Sequence, residues 1–200
     1  MKLYYFPQTR GLRARWMLEE LAVPYEGAVV NLMKGEQKQP AYLQVHPLGV
    51  VPALVDEGQT IIESAAIVMH LADKFPEKGF APAVGTLERA QYYQWILYAM
   101  TEMDPHASAA FVHSHVLPEA QRSPAVVENA TKRFKVTAAV VEAHLKGREF
   151  LVGNKFSGAD VVMGGVLLVA SKLGLLGEFP ALQAYLGRLV ERPAAKKAFA

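Results

Sequence analysis

The sequence contains no cysteine among its 200 residues. This absence excludes a disulfide framework, a thiolate metal site and a cysteine nucleophile. Any thiol chemistry would therefore need a thiol that a ligand supplies. A strong excess of charge is also missing, because 21 Lys and Arg stand against 19 Asp and Glu and leave a net charge of +2. A balance so close to neutral does not favour nucleic acid or an anionic membrane as the partner.

Long uninterrupted apolar runs are missing as well. The most apolar stretch, 161–176, contains Lys172 and several glycines and is shorter than the roughly 20 apolar residues that span a bilayer. The beginning of the chain has neither the basic start nor the small-residue cleavage site of a signal peptide. Hydrophobic residues make up 52% and charged residues 20%, a normal globular mixture. We therefore expect a soluble, cytoplasmic protein with no membrane partner.

Strand-like and helical segments alternate over residues 1–80. The predicted order is a strand at 2–6, a helix at 10–22, a strand at 25–31, strands at 52–56 and 59–62 around a Glu57-Gly58 turn, and a helix from Ser64 to Lys74. Residues 33–42 are polar and are predicted to be irregular. A parallel βαβ unit followed by a hairpin and a helix is the thioredoxin-like layout.

Strand signals disappear after Thr86, and the rest of the chain is predicted to be helical. The predicted helices cover 87–116 with an interruption near Asp104-Pro105, 124–145 after a Ser123 cap, a buried segment after the Ser157/Asp160 capping box, and a last one from Pro180 that stops before Pro193. We therefore expect an α/β domain over 1–78, a linker over 79–86, and an all-α domain, a helical bundle, over 87–200.

Four segments carry a family resemblance over essentially the whole chain. They are KLYYFPQTRGLRARWMLEEL at the beginning, HPLGVVPALVDEG with the Val51-Pro52 step, IIESAAIVMHLADKFP with Glu63-Ser64, and FSGADVVMGGVLL with the capping box. Each motif is weak alone, but their order and spacing are highly specific. In these segments the chain resembles the glutathione S-transferases, most of all the bacterial cytosolic type. The resemblance implies a thioredoxin-like domain that binds glutathione, a helical domain with the second-substrate pocket, and a homodimer.

The activity that this resemblance implies is attack of a glutathione thiolate on a small, hydrophobic electrophile. Glutathione would be the co-substrate, and no metal or prosthetic group is implied. Two alternatives remain open at this point. One is a glutathione-dependent peroxidase, isomerase or dehalogenase on the same scaffold. The other is a non-catalytic glutathione-transferase-like protein that acts as a binding or transcription-associated partner.

A thiolate of glutathione needs stabilisation, because its thiol has a pKa of about 8.5. Lowering the pKa by about two units requires about 2.7 kcal/mol. One hydrogen bond to a charged group supplies about 1.5–3 kcal/mol, and a helix N-terminus supplies about 0.3–1 kcal/mol. A hydroxyl at the start of the first helix can therefore perform this task without a general base.

Thr9 occupies that position, and the resemblance implies that it holds the thiolate. The family often has Ser, Cys or Tyr in this region, so Thr9 departs from the pattern. Spacing alone favours an ordinary helix N-cap for Thr9. Tyr5, at the end of the strand, is the main alternative donor. Arg10 is another, through its guanidinium or its backbone N–H, unless it is a solvated charge together with Arg13 and Arg15.

The resemblance also assigns the rest of the tripeptide site. Val51 precedes the family's cis-proline, here Pro52, and would offer its backbone N–H and C=O to the cysteinyl part. Glu63 and Ser64 match the γ-glutamyl site, where Ser64 opens a helix. The alternatives are a trans proline that starts a strand, a surface Glu and a capping Ser. Gln37 and Lys38, or with less support Lys34, would bind the glycyl carboxylate, unless they form a solvated loop; His46 is given a structural role.

The second-substrate pocket is expected in the helical domain, near the turn that follows Thr9. Its candidate residues lie on the long helix and are Tyr98, Met103, His106 and Phe111. A stripe of Met and aromatic residues is more often part of a core. A metal site is not expected, because the six histidines are scattered and His113 and His115 would point to different faces of a helix.

Overall fold

The chain, which a computed structural model describes from Met1 to Ala200, folds into two units. The first consists of Met1–Ala81 together with Glu191–Ala200, and the second is Pro82–Val190. None of the helices is both long and apolar enough to cross a lipid bilayer.

The first unit contains a four-stranded mixed sheet with the order β2-β1-β3-β4. The strands are β1 (Lys2–Tyr5), β2 (Glu26–Val29), β3 (Ala53–Asp56) and β4 (Gln59–Ile62), and the helices are α1 (Gly11–Leu21), the single turn α2 (Pro40–Leu43), α3 (Ser64–Lys74) and the C-terminal α9 (Pro193–Phe199). Strand β1 is parallel to β2 and antiparallel to β3, which forms a hairpin with β4. This arrangement is the thioredoxin-like layout that the sequence predicted.

The core of this unit lies where α1 and α3 pack together against the sheet. Leu3 and Leu54, which are opposite each other in the register, have no exposed surface, and neither have Met17 of α1 and Ile67 of α3. Alternate strand residues face opposite sides of a sheet. Tyr4 accordingly turns away from Leu3 and packs edge-on against Tyr42 of α2, with 5.7 Å between the ring centroids.

The loops that carry the predicted glutathione site all leave one edge of the sheet. Parallel strands β1 and β2 both end at this edge, and the antiparallel strand β3 begins there, since Tyr4 pairs with Ala53. Strand β4 ends at the same edge because Ile62 also pairs with Ala53. The sheet register therefore brings the segments after Tyr5, before Ala53 and after Ile62 next to one another.

The last ten residues pack on α1, a feature that the sequence prediction missed. The predicted helical domain over 87–200 ended with a helix that stopped before Pro193, but α9 begins at Pro193. Proline is well suited to the first position of a helix, where no N–H bond is needed. Arg192 binds both carboxylate oxygens of Glu20 at 2.7 Å, and Phe199 packs edge-on against Trp16 with centroids 5.4 Å apart. These contacts explain why Glu191–Ala200 belongs to the first unit.

The second unit is helical apart from one isolated β-bridge between Val152 and Lys155. Its helices are α4 (Leu87–Tyr98), α5 (Asp104–Phe111), α6 (Pro124–Leu145), α7 (Gly158–Lys172) and α8 (Pro180–Val190). The predicted interruption near Asp104-Pro105 is confirmed, because a π-helical turn, Ala99–Met103, joins α4 to α5. Pro105 has no N–H to donate to the preceding turn, and a local widening of the helix accommodates that loss.

The buried helix α7 depends on the capping box that the sequence predicted. Asp160 has no exposed surface and accepts hydrogen bonds from the backbone N–H of Ser157 at 2.8 Å and of Leu151 at 3.0 Å. It also accepts a bond of 2.7 Å from the hydroxyl of Tyr185 in α8. One carboxylate thus joins the start of α7, the preceding loop and the next helix.

Several predicted segments agree with the structure, and one differs. The bounds of β4 and α3 are the predicted ones, and Ser123 caps α6 through a hydrogen bond of 3.4 Å from the N–H of Val126. The region 33–42 is not irregular, since it contains two short 3₁₀ turns and α2. The side chain of Asn31 starts the first of these turns by accepting the N–H of Met33 at 3.0 Å.

We expect Asp160→Asn to lower the free energy of unfolding by about 2–3 kcal/mol, because it replaces a buried charged acceptor by an amide that must face N–H donors. Urea denaturation measures the change. Glu128→Gln is the matched control, since its partner Lys132 lies in an exposed i,i+4 pair on α6 and its loss should cost at most about 0.5 kcal/mol. Equal stability of the two variants would contradict the structural role given to Asp160.

Candidate functional site

The turn between β1 and α1 places the hydroxyl of Thr9 at the start of the helix. Thr9 Oγ1 accepts the N–H of Gly11, the first helical residue, at 3.1 Å and donates to the carbonyl of Phe6 at 2.7 Å. The side chain thus binds the first helical N–H from the residue before the N-cap, Arg10, and its hydroxyl donates to a backbone carbonyl. The Thr9 side chain is half-buried, and the next residue, Arg10, is exposed.

The Tyr5 ring lies away from this turn. A Cβ atom at Gly27 would approach Cε1 of Tyr5 to 3.3 Å and its hydroxyl oxygen to 3.9 Å. Gly27 pairs with Leu3, whereas Tyr5 pairs with Val29, so the ring extends back along the strand. The guanidinium of Arg15 covers the ring at 5.3 Å. The hydroxyl of Tyr5 is therefore directed towards the opposite end of the strand from the Thr9 turn.

Val51 presents its backbone at the edge of the sheet. The Val51-Pro52 peptide bond is cis, as the resemblance implied. The N–H and C=O of Val51 make no hydrogen bond within the chain, while the next residue of the strand, Ala53, is paired with Tyr4. An unpaired N–H and C=O on one residue can bind a ligand backbone as a short antiparallel pair.

The junction between β4 and α3 combines a strained backbone with a free helix N-terminus. Glu63 has φ 70° and ψ 114°, a conformation that costs a residue other than glycine of order 1–3 kcal/mol and that is common at binding sites. The first N–H of α3 to be bonded within the helix is that of Ile67, which donates to Glu63. The N–H groups of the first turn are therefore available to an anion. Glu63 itself is exposed.

Ser64 is the first residue of α3, and the N-cap is Glu63. The structure therefore does not agree with the alternative of a capping Ser. Its hydroxyl oxygen accepts a hydrogen bond of 3.2 Å from Nη1 of Arg13 in α1. Both residues are 2% exposed. The sequence interpretation placed Arg13 among the solvated charges, whereas the structure buries it. Helical periodicity contained the signal, because Arg13 lies one turn before Trp16 and Met17, which are both buried.

Gln37 and Lys38 pack against the turn that precedes the cis-proline. The ammonium of Lys38 donates to the carbonyl of Leu48 at 2.9 Å. Gly49 has φ 57°, and a Cβ there would lie 2.5 Å from the carbonyl oxygen of Gln37, so only glycine allows this approach. The side-chain amide of Gln37 donates to Leu32 at 3.4 Å, and its oxygen is buried without a partner. Lys34 is exposed in the preceding turn.

His46 supports this turn from inside the fold. The residue is 2% exposed, its N–H donates to Tyr42 at 2.8 Å, and its carbonyl accepts the N–H of Gly49 at 2.8 Å. Burial lowers the pKa of the imidazole, which favours the neutral side chain. These features agree with the structural role that the sequence interpretation gave to His46.

The four residues predicted to line a second-substrate pocket belong to the helical unit and differ in exposure. Met103 has no exposed surface, which favours a place in the core over one in a pocket. The hydroxyl of Tyr98 donates to the carbonyl of Thr137 in α6 at 3.0 Å. His106 and Phe111 are half-buried, and the Phe111 ring stacks on His115 with centroids 5.1 Å apart.

The edge of the sheet in the first unit thus carries groups that fit an extended ligand with anionic ends. A hydroxyl stands at the N-terminus of α1, an unpaired backbone N–H and C=O stand at Val51, and the N-terminus of α3 stands beside them. No group of three or more His, Asp or Glu side chains in the chain is arranged to hold a metal ion.

Comparison with known sequences gives two family matches, one in each half of the chain. Residues 1–73 match the N-terminal domain of the glutathione S-transferases, and residues 99–193 match their C-terminal domain. A curated relative, the glutathione S-transferase GST-4.5 of Xanthomonas campestris, is 30% identical over 191 residues, which cover 95% of this chain and 93% of the relative.

Solved structures with the same fold include two that hold glutathione. The glutathione transferase URE2P6 of Phanerochaete chrysosporium, in complex with oxidized glutathione, superposes with a TM-score of 0.89 at 31% identity and covers 99% of this chain and 94% of that one. A sphingomonad glutathione S-transferase complexed with glutathione gives a TM-score of 0.86 at 32% identity. The match covers 100% of this chain and 97% of that one. The chain therefore belongs to the glutathione S-transferase family and is a glutathione transferase.

Proposed function

We propose that the protein binds glutathione along the sheet edge of its first unit and transfers it, as a thiolate, to a small hydrophobic electrophile. The observation that carries this proposal is the convergence of three different binding groups on one edge. They are the Thr9 turn, the unpaired backbone of Val51 and the free first turn of α3. The relatives that hold glutathione support the same ligand for this chain.

The tripeptide is proposed to lie with its γ-glutamyl end at α3. Its α-carboxylate would accept hydrogen bonds from Ser64 and from the first N–H groups of the helix, where the helix dipole favours an anion. Glu63, exposed beside it, would accept the α-ammonium. The cysteinyl residue would pair with the N–H and C=O of Val51, and the sulfur would then reach the Thr9 turn.

The glycyl carboxylate is proposed to bind at the other end, beside Lys38 and Gln37. Lys38 already holds its ammonium at the Leu48 carbonyl, 2.9 Å away, and an ammonium has three protons to donate. The side-chain amide of Gln37, the residue before Lys38, donates to the carbonyl of Leu32. Lys34, which is exposed and makes no side-chain hydrogen bond, lies further along the turn.

Thr9 is proposed to stabilise the thiolate through an exchange of hydrogen-bond partners. The Thr9 hydroxyl, which now donates a hydrogen bond to the carbonyl of Phe6, would donate to the sulfur instead once the thiol has lost its proton to water. A neutral acceptor is thereby replaced by a charged one, which forms the stronger bond. The thiolate then forms a bond to the electrophilic carbon, and the leaving group departs with its electron pair.

The second substrate is proposed to contact Tyr98, His106 and Phe111 of the helical unit, and Met103 is no longer part of this set. All three have exposed surface, and the Tyr98 hydroxyl is engaged with Thr137. Tyr98 would therefore offer its ring to an apolar substrate, since its hydroxyl proton is already bound.

We further propose that the enzyme is a cytoplasmic homodimer that acts in detoxification and needs no metal. The family resemblance supports the dimer and the reaction class. Light scattering coupled to size-exclusion chromatography would show a mass of twice 21.9 kDa for a dimer, and a monomer peak at micromolar concentration would reject this part of the proposal.

Thr9→Ala should raise the pKa of enzyme-bound glutathione by about 1–2 units, because a hydrogen bond to the thiolate is lost. Ultraviolet titration of the thiolate in the complex measures this pKa. Thr9→Ser keeps the hydroxyl and should leave the pKa near that of the wild type. Tyr5→Phe should also leave it unchanged, and a rise in Tyr5→Phe but not in Thr9→Ala would make Tyr5 the donor.

Lys38→Ala should weaken the binding of glutathione about tenfold, since one charge-assisted hydrogen bond to the glycyl carboxylate disappears. Isothermal titration calorimetry gives the dissociation constant. Lys34→Ala is the control, because it removes the same charge from the same segment. Comparing the two variants distinguishes a direct contact with the carboxylate from an effect of net charge. If Lys34→Ala causes the larger loss, the glycyl carboxylate binds at Lys34. If wild-type protein is not retained on a glutathione matrix, the proposed site itself is wrong.

A further inference from the structure

Arg13 is a charged side chain buried directly behind the start of α3. It is 2% exposed and lies on α1, between Leu12 and Ala14. Burying a guanidinium is costly unless it is hydrogen-bonded and does something for the fold or the function. One of its bonds is to Ser64, which the proposed function assigns to the γ-glutamyl carboxylate. The inference below rests on that proposed function.

The direction of the Arg13–Ser64 hydrogen bond determines what Ser64 can do. A guanidinium has only donors, so the hydroxyl oxygen of Ser64 must be the acceptor at 3.2 Å. A serine hydroxyl has one proton to donate, and with its oxygen engaged by Arg13 that proton is left for another acceptor. Ser64 is thereby set up as a donor, which is the property that a carboxylate ligand requires.

The charge of Arg13 acts in the same direction as the bond. The N-terminus of α3 carries the positive end of the helix dipole, and the buried guanidinium of Arg13 lies within hydrogen-bond distance of its first residue. Electrostatic interactions are stronger in a buried, low-dielectric environment than in water. An anion bound at this turn is therefore stabilised by a residue that it does not touch.

We infer that Arg13 is a positioning residue that makes the site selective for the α-carboxylate of the γ-glutamyl group, through Ser64. Arg13 does not contact the ligand, and it is not assigned to the sulfur chemistry. The role differs from that of a mere core residue in one measurable respect. Its loss should weaken ligands that have the α-carboxylate and leave ligands without it unaffected.

The test compares two ligands on Arg13→Gln. Glutathione and its analogue that lacks the γ-glutamyl α-carboxylate, γ-aminobutyryl-cysteinylglycine, are titrated by calorimetry into wild-type and variant protein. We expect the affinity for glutathione to fall about tenfold, the size of one lost charge-assisted contact, while the affinity for the analogue stays within about twofold. An equal loss for both ligands, or no loss for either, overturns the inference.

Two further variants link the effect to Ser64 and to the position of the charge. In a Ser64→Ala background, Arg13→Gln should cause a smaller loss of glutathione affinity than in the wild type, because the hydroxyl that it orients is gone and only the effect of its charge remains. Arg15→Gln, the same substitution two residues further along α1 at a half-buried site over the Tyr5 ring, should leave the preference between the two ligands unchanged. Independent, additive losses at Arg13 and Ser64 would contradict the inference.

Arg13→Lys provides the measurement if Arg13→Gln does not fold, as judged by circular dichroism. Lysine keeps the charge but not the fork geometry of the guanidinium, so the preference for glutathione over the analogue should fall by about threefold. An unchanged preference in a folded Arg13→Lys rejects the orienting role. Failure of the wild type to bind glutathione would instead reject the proposed function and is detected in the same titration.

Discussion

The register between β1 and its two neighbours is the constraint on which the site depends. Because Tyr4 pairs with both Ala28 and Ala53, the ends of β1 and β2 and the beginning of β3 are held at one edge. The hairpin then returns β4 to the same place. A slip of one residue would turn Leu3 and Leu54 out of the core. The hydrophobic core therefore fixes the positions of binding groups that are far apart in sequence.

The binding groups of the site differ in how far they are already satisfied within the chain. Thr9 and Lys38 each have a backbone carbonyl as partner, at 2.7 and 2.9 Å, whereas Val51 and the first turn of α3 have unpaired groups. An exchange of partners brings only the difference between two hydrogen bonds, while pairing a group that has no partner within the chain brings a whole one. Affinity is thus expected to come mainly from backbone groups, and the side chains mainly select the charge and orientation of the ligand.

Local patterns in the sequence were sufficient for much of the fold. The Glu57-Gly58 turn, the bounds of α3 and the Ser157/Asp160 capping box follow from residues adjacent in sequence, and all agree with the structure. The features that were missed depend on tertiary packing. Pro193 was interpreted as a stop, although the same residue type also starts helices. Arg13 was interpreted as solvated, although its helical position is on the buried side. Met103 shows the same limit, since its exposure depends on how the helices pack.

The attachment of α9 to α1 also has a consequence for the order of synthesis. The first unit is made of two segments that are far apart in sequence, and Phe199 of the second segment packs against Trp16 of the first. Domains generally fold as units while the chain emerges. Here the N-terminal unit gains its contacts to Arg192 and Phe199 only after the helical unit has been synthesised, so the indole ring of Trp16 and the carboxylate of Glu20 lack these partners until Glu191–Ala200 has emerged.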